Sequence, residues 1–163
     1  EIKLAKVFCY ANNCYGAESY IRGFSGYGLE LLIHYYGSFL KFIKAISKAK
    51  NKIIIDIEKH YKNKNEILMN VNNSKLKSPI ILIDPTYKQR NVLAALSKET
   101  FTRFQKVCRK FLENPSIKDF EIKEIDLEKI EKNTKNKNYE FILIKAETKK
   151  QQGDIAGTKL LKF

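Results

Sequence analysis

Arg22-Gly23-Phe24-Ser25-Gly26-Tyr27-Gly28, continuing into Leu29-Glu30-Leu31-Leu32-Ile33-His34-Tyr35-Tyr36-Gly37-Ser38-Phe39, is the stretch on which the reading of this chain turns. Its glycines permit tight turns and close approach of backbone to a ligand. Ser25 has the short side-chain oxygen that caps a helix start, although Gly26 and Gly28 weaken the first turn that follows. Residues 29–36 are apolar nearly all round, which predicts a helix sunk in a core. Gly37 interrupts that helix and Ser38 is placed to cap the next. Over residues 39–49, Phe39, Leu40, Ile43 and Ile46 are expected on one face and Lys41, Lys44 and Lys48 on the other.

On the N-terminal side, Ile2, Leu4, Ala5, Phe8 and Cys9 recur at helical spacing through residues 1–13, and Asn12-Asn13 can end that helix. On the other side come two β-type runs, residues 53–57 and 80–83. The polar, Asn- and Lys-rich stretch between them suits a hairpin-like excursion with a long loop. Asp84-Pro85-Thr86 ends the second run, and Gln89-Arg90-Asn91-Val92 leads into a short helix through Ala94, Ala95 and Leu96, which Asn91 is placed to cap. Ser97 opens a helix over about residues 98–113, with Phe101, Phe104, Val107, Cys108, Phe111 and Leu112 as its stripe. Arg103, Lys106, Arg109 and Lys110 line its exposed sides, and Asn114-Pro115 stops it. After Pro115 the composition shifts. A charged segment leads to a short helix at 126–132, a strand at 139–147 and a helical run after Asp154, which is half of an α/β sandwich. The domains are therefore set at 1–115 and 116–163.

The chain has 163 residues, with 44% hydrophobic and 12% aromatic side chains. A core is sustainable at that size, and disorder of the whole chain is excluded. Lys and Arg number 31 against 18 Asp and Glu, a net charge of +13, and the surplus is spread along the chain. Such a surface attracts polyanions, with nucleic acid the leading partner class. The longest apolar runs are strand-sized, far short of a membrane span. Cys9, Cys14 and Cys108 are too few and too odd for a disulfide scaffold. Joined with His34 or His60 they lack the paired spacing of structural zinc sites, so they read as buried free thiols in a reducing, cytoplasmic compartment. No nucleophile-base motif, Walker loop or dinucleotide fingerprint is present. Asp56 and Glu58 alternate on a strand, but beside Lys59 and His60 they read as a solvated edge rather than a two-metal site. The chain begins with Glu1 and stops within the apolar Leu160-Leu161-Lys162-Phe163, so it is expected to be a piece of a longer protein.

Tyr15-Gly16-Ala17-Glu18, Arg22 through Tyr27, Glu30-Leu31-Leu32-Ile33 and Tyr36-Gly37-Ser38-Phe39-Leu40 together resemble the central domain of archaeal CCA-adding enzymes, the class I tRNA nucleotidyltransferases. The resemblance continues through Asp84-Pro85-Thr86, Arg90-Asn91-Val92, Ala94-Ala95-Leu96-Ser97, Arg103-Phe104 and Cys108-Arg109-Lys110-Phe111, over about residues 5–115. It implies an α+β chain: a helical substrate-binding domain of the poly(A) polymerase and oligoadenylate synthetase type, then the start of a ferredoxin-like body domain. It implies tRNA, CTP and ATP as substrates, and Mg²⁺ held by a catalytic head that precedes residue 1 and carries the phosphate loop and acids missing here. A non-catalytic RNA-binding module, or one subunit of a split enzyme, is the alternative. Within the resemblance Arg90 helps read the incoming base, its rigid fork of donors suiting that task; an ion pair with Asp84 is its bland alternative. Tyr27 touches the triphosphate, or else is a core tyrosine. Arg22 and Ser25 offer a cation and backbone N–H groups to an anion, unless Arg22 pairs with Glu18. Asn91 belongs to the same nucleotide-binding segment, and Arg103, Lys106, Arg109 and Lys110 are expected on tRNA. Tyr20 stands where a second basic residue is expected.

Overall fold

The computed structural model describes residues 1–122, together with Thr134 and Ile142. The elements expected at 126–132, at 139–147 and after Asp154, and with them the ferredoxin-like body, lie outside the described residues. The chain divides into two compact units, Glu1–Lys123 and Glu124–Phe163. The helices and strands set out below all lie in the first unit.

Helix α1 (Ile2–Ala11) buries Ala5, Phe8, Cys9 and Ala11. Helix α2 (Gly26–Tyr36) starts at Ser25, whose side chain accepts from the Gly28 N–H, and ends at Gly37, which adopts the left-handed φ of 81°. That conformation suits a residue without Cβ. Ser38 then caps α3 (Phe39–Lys48) by accepting from the Lys41 N–H. Helix α2 is not apolar-buried all round: Leu29, Leu32 and Ile33 are inside, while Tyr35 is half exposed. In α3 the buried stripe is Phe39, Phe42, Ile43 and Ile46. Leu40 lies about 100° around the helix from Phe39 and is exposed, contrary to the sequence reading.

Helix α5 (Lys98–Glu113) closes the bundle. Ser97 caps it by accepting from Thr100, and Thr100, Phe101, Phe104, Cys108 and Phe111 are buried. Aromatic rings fill the space between the helices. Phe24 and Phe104 lie 4.7 Å apart between centroids, and Phe8 meets Phe39 and Phe111 edge-on at 5.3 Å each. Each fully buried phenylalanine contributes about 1.5–3 kcal/mol relative to an exposed one. Beyond Pro115 a 3-10 turn, Ile117–Phe120, brings Phe120 to 5.2 Å from Phe8.

Strands β1 (Ile53–Ile55), β2 (Ile80–Asp84) and β3 (Tyr87–Asn91) form one sheet in that order. β1 and β2 are parallel, with Ile53 opposite Ile80 and Ile55 opposite Leu82. The expected hairpin is therefore a crossover, because parallel strands cannot be joined by a tight turn. Helix α4 (Lys64–Asn70) and a 3-10 turn at Asn73–Lys77 occupy it. Ile80 and Leu82 face the helical core, while Ile81 and Ile83 face a smaller cluster with Tyr61, Ile67 and Val71. Burial on both faces explains the unbroken apolar run. β3 pairs antiparallel to β2, with Ile83 opposite Asn91 and Asp84 opposite Tyr87, and the register shifts between Ile83 and Asp84. The segment expected to lead into a helix is thus an edge strand, exposed at every residue but Asn91.

Candidate functional site

At the end of β2 the chain buries a carboxylate. Asp84 is 1% exposed. Its Oδ1 accepts the Thr86 N–H at 2.9 Å, the Thr86 hydroxyl at 2.8 Å and the Tyr27 hydroxyl at 3.3 Å. Its Oδ2 lies 3.4 Å from Arg90 Nη1. Burial by itself would raise the Asp84 pKa, but the two Thr86 hydrogen bonds, the Tyr27 hydroxyl and the Arg90 charge outweigh it and hold the carboxyl below its ordinary value. Tyr27 moves the opposite way, raised by desolvation and then by the neighbouring Asp84 charge.

Arg90 therefore does pair with Asp84, yet its side chain stays 57% exposed. The contact engages one end of the guanidinium and leaves donors of the planar fork toward solvent. Tyr27 is a surface residue rather than a core tyrosine, 38% exposed, and its ring stands in the first turn of α2. That turn approaches the residues after β3 closely. A Cβ on Gly28 would come within 2.5 Å of Leu93 Cδ2, so the glycine that weakens the helix start also lets α2 pack on the segment that follows β3.

The strand carrying Arg90 is held from both ends. Asn91 is buried; its Oδ1 accepts from Leu82 N and Leu93 N, and its Nδ2 donates to the Lys75 and Ile80 carbonyls. Those four bonds use its amide fully: the one from Leu93 N is the local cap expected of Asn91, and the others fix the end of β3. On the outer edge the Tyr61 hydroxyl donates to the Lys88 carbonyl at 2.8 Å, and His60 Nε2 lies 2.9 Å from the Pro85 carbonyl. Asp56, read as a solvated edge residue, follows the end of β1, and its Oδ2 accepts from Tyr61 N at 3.0 Å. No local signal marks Tyr61, because its partner lies far along the chain.

Ser25 spends its oxygen on the α2 cap. Arg22 has a left-handed φ of 49°, and its carbonyl accepts from Ser97 N at 2.9 Å, tying the glycine-rich loop to the start of α5. Gly23 is required there, since a Cβ would stand 2.2 Å from the Cys14 carbonyl oxygen. Along α5, Arg103 Nη1 donates to Asn13 O, Arg109 Nη1 to Ser47 O, and Lys110 reaches Asp119 at 3.3 Å. Arg109 sits at the C-terminal end of α3, where a cation is favoured. Lys106 is exposed on the same helix. Arg90 and Tyr27 are thus brought together around Asp84, while the four α5 cations form a separate face.

Cys9, Cys14 and Cys108 are buried free thiols. Burial, slightly offset by Arg103, pushes Cys14 up to about 11. Among the described residues no three His, Cys, Asp or Glu side chains gather as a metal would require, and the oxygens of Asp84 are already engaged. These residues do not fit a divalent cation. No described helix is long and apolar enough to cross a membrane.

Comparison with known proteins meets the same residues. Residues 1–121 match the family model described as tRNA nucleotidyltransferase, second domain. A CCA-adding enzyme of Nanoarchaeum equitans is 48% identical over 101 residues, covering 62% of this chain and 26% of that protein. Those of Archaeoglobus fulgidus and Methanocaldococcus jannaschii are 39% and 38% identical, covering 81% and 88% of this chain and 28% and 31% of those proteins. The chain thus spans about a quarter to a third of the length of these relatives. The capped helices, the β2–β3 hairpin and the α5 face all fall within the matched residues, and the chain belongs to the tRNA nucleotidyltransferase second-domain family.

Proposed function

We propose that this chain is the nucleotide- and tRNA-binding part of an enzyme that adds C, C and A to the 3′ end of tRNA from CTP and ATP. The observation that carries the reading is the half-exposed Arg90 guanidinium anchored on a buried carboxylate, with Tyr27 on the same anchor. In the transfer, the tRNA 3′-hydroxyl gives up its proton and attacks the α-phosphorus; the new P–O bond forms as the α–β phosphoanhydride bond breaks and pyrophosphate leaves. The residues of this chain bind and orient. Arg90 offers N–H donors to acceptors on the base edge, and its pairing with Asp84 restricts the fork before the nucleotide arrives. Tyr27 touches the triphosphate. Arg22 and the N-terminal end of α2 favour the triphosphate electrostatically. Arg103, Lys106, Arg109 and Lys110 meet tRNA phosphates. The divalent cation and its acids belong, on this reading, to a part of the full-length protein outside this chain. A reducing cytoplasm is its setting, where buried thiols persist.

The test is Arg90→Ala in the full-length protein. Loss of a charged hydrogen-bonding contact should cost about 1.5–3 kcal/mol, roughly tenfold to a hundredfold in selection or efficiency. Arg90→Lys should rescue poorly, since an ammonium lacks the planar fork. Single-turnover incorporation of CTP and ATP, with melting temperature on the same variant, decides it. A destabilised variant with intact base selection would confine Arg90 to its pair with Asp84.

A further inference from the structure

Residues 31–55 and 67–83 contain no Asp or Glu and carry seven lysines. The parallel pairing of Ile53 with Ile80 brings the ends of these two stretches side by side. Where they meet, Lys50, Lys52, Lys77 and Lys98 line an open cleft of about 260 Å³, together with Phe101, Thr102 and Gln105. Among the described residues no carboxylate lines it. The nearest acid in sequence, Glu99, is turned to its cap: the Ser97 hydroxyl is the first cause of its lowered pKa, and Arg22 also contributes. Lys52 is not a loose side chain. Its Nζ donates to the Leu76 carbonyl, which holds the ammonium at the second acid-free stretch. Gln105 is fixed as well, donating to the Ile46 and Ala49 carbonyls at the end of α3.

Four like charges converging on one cleft repel one another in the free protein, and their summed field raises the local concentration of anions. A phosphodiester strand relieves that repulsion and releases its counterions on binding. The cleft opens at the N-terminal ends of β1 and β2, while Asp84 and Arg90 stand at the other end of β2. That strand length is about 13 Å at 3.3 Å per residue, or about four nucleotides of a stacked strand at 3.4 Å each.

We propose that the lysine cleft between the β1 and β2 starts and α5 grips the phosphate backbone of the RNA whose end reaches the Arg90 site. The assignment rests on the function proposed above and adds to it lysines outside the Arg103, Lys106, Arg109 and Lys110 set. The test measures tRNA affinity of the full-length protein by fluorescence anisotropy across a salt series. It compares wild type, Lys52→Gln with Lys77→Gln, Lys50→Gln with Lys98→Gln, and a control, Lys62→Gln with Lys64→Gln, which removes the same charge from another exposed stretch. Each cleft pair should weaken binding by about three- to tenfold at low salt and make the log–log salt slope shallower by about 1.4–1.8. The control should do markedly less. Should the first pair lower the melting temperature, the second pair, which spares the Leu76 contact, decides the outcome. Cleft variants matching wild type, or losing no more than the control, overturn the proposal while leaving the functional reading in place. An equal loss of affinity for polyglutamate makes the cleft a general acidic-polymer site and overturns the RNA assignment. A wild type that fails to bind tRNA above a random-sequence RNA overturns the functional reading itself, and the proposal with it.

Discussion

The helical core and the β2–β3 hairpin are held by opposite physics. In the core, Phe8, Phe24, Phe42 and Phe104 are wholly buried and meet one another ring to ring. Their attraction is non-directional and scales with area. In the hairpin, one carboxylate and one amide organise the chain through bonds that each need a specific partner. The core can be repacked by apolar side chains that keep its volume, whereas the hairpin fails as a geometry once a single partner is lost. Strong selection of a ligand belongs to the second kind of structure, because a directional group left without its donor or acceptor is penalised.

The largest break should come in the core. Phe104→Ala removes a ring that meets three others, and should cost about 3–5 kcal/mol in urea denaturation. Phe104→Leu should recover much of that, as volume rather than identity is what counts there. Asp84→Asn should cost less in stability, about 1–3 kcal/mol, and should be felt in the Arg90 and Tyr27 positions more than in the bundle. Its pH signature sharpens the contrast. The Asp84 pKa is lowered in the fold from the ordinary 3.8. Its contribution is therefore present above that ordinary value and is lost as pH falls through the lower folded one. Stability curves of wild type and Asp84→Asn should run parallel near neutrality and converge in acid; parallel curves throughout would mean the carboxylate is not favoured by folding. The smallest effect belongs to Tyr61→Phe, which removes the hydroxyl on the Lys88 carbonyl. About 0.5–1.5 kcal/mol is expected, with the NMR shifts of residues 87–90 changing and those of α3 unmoved. A global change of shifts would show that the strut supports more than the edge strand.

The same contrast governs what can be read from sequence. Ser25, Ser38, Ser97 and Gly37 announce the helix ends because caps are local. The α5 stripe is legible for the same reason, its period being set by the helix itself. β3 is not, since Tyr87-Lys88-Gln89-Arg90 has no alternation to read: an edge strand exposed on both faces leaves none. The parallel β1–β2 pairing is invisible because two apolar runs with a polar interval fit a hairpin or a crossover equally well. At the site, Arg90 and its partner Asp84 lie within one short segment and are within reach of a sequence reading, whereas Tyr61 and Lys88 meet only through the fold. Exposure of the α5 cations follows from the stripe, but their bonds to Asn13 and Ser47 join distant parts of the chain.

The crossover between β1 and β2 also sets an order of assembly. β2 and β3 are joined by a turn and can zip locally, whereas β1 reaches β2 only after residues 56–79 have closed a loop. Closure entropy grows with that loop, and distant pairings are the slower ones to form. The hairpin that carries Arg90 can thus exist as a nascent unit before β1 arrives, and the β1 strand acts as a late latch on it. In refolding, the pairing of Ile53–Ile55 is accordingly expected to form later than the hairpin that holds the site.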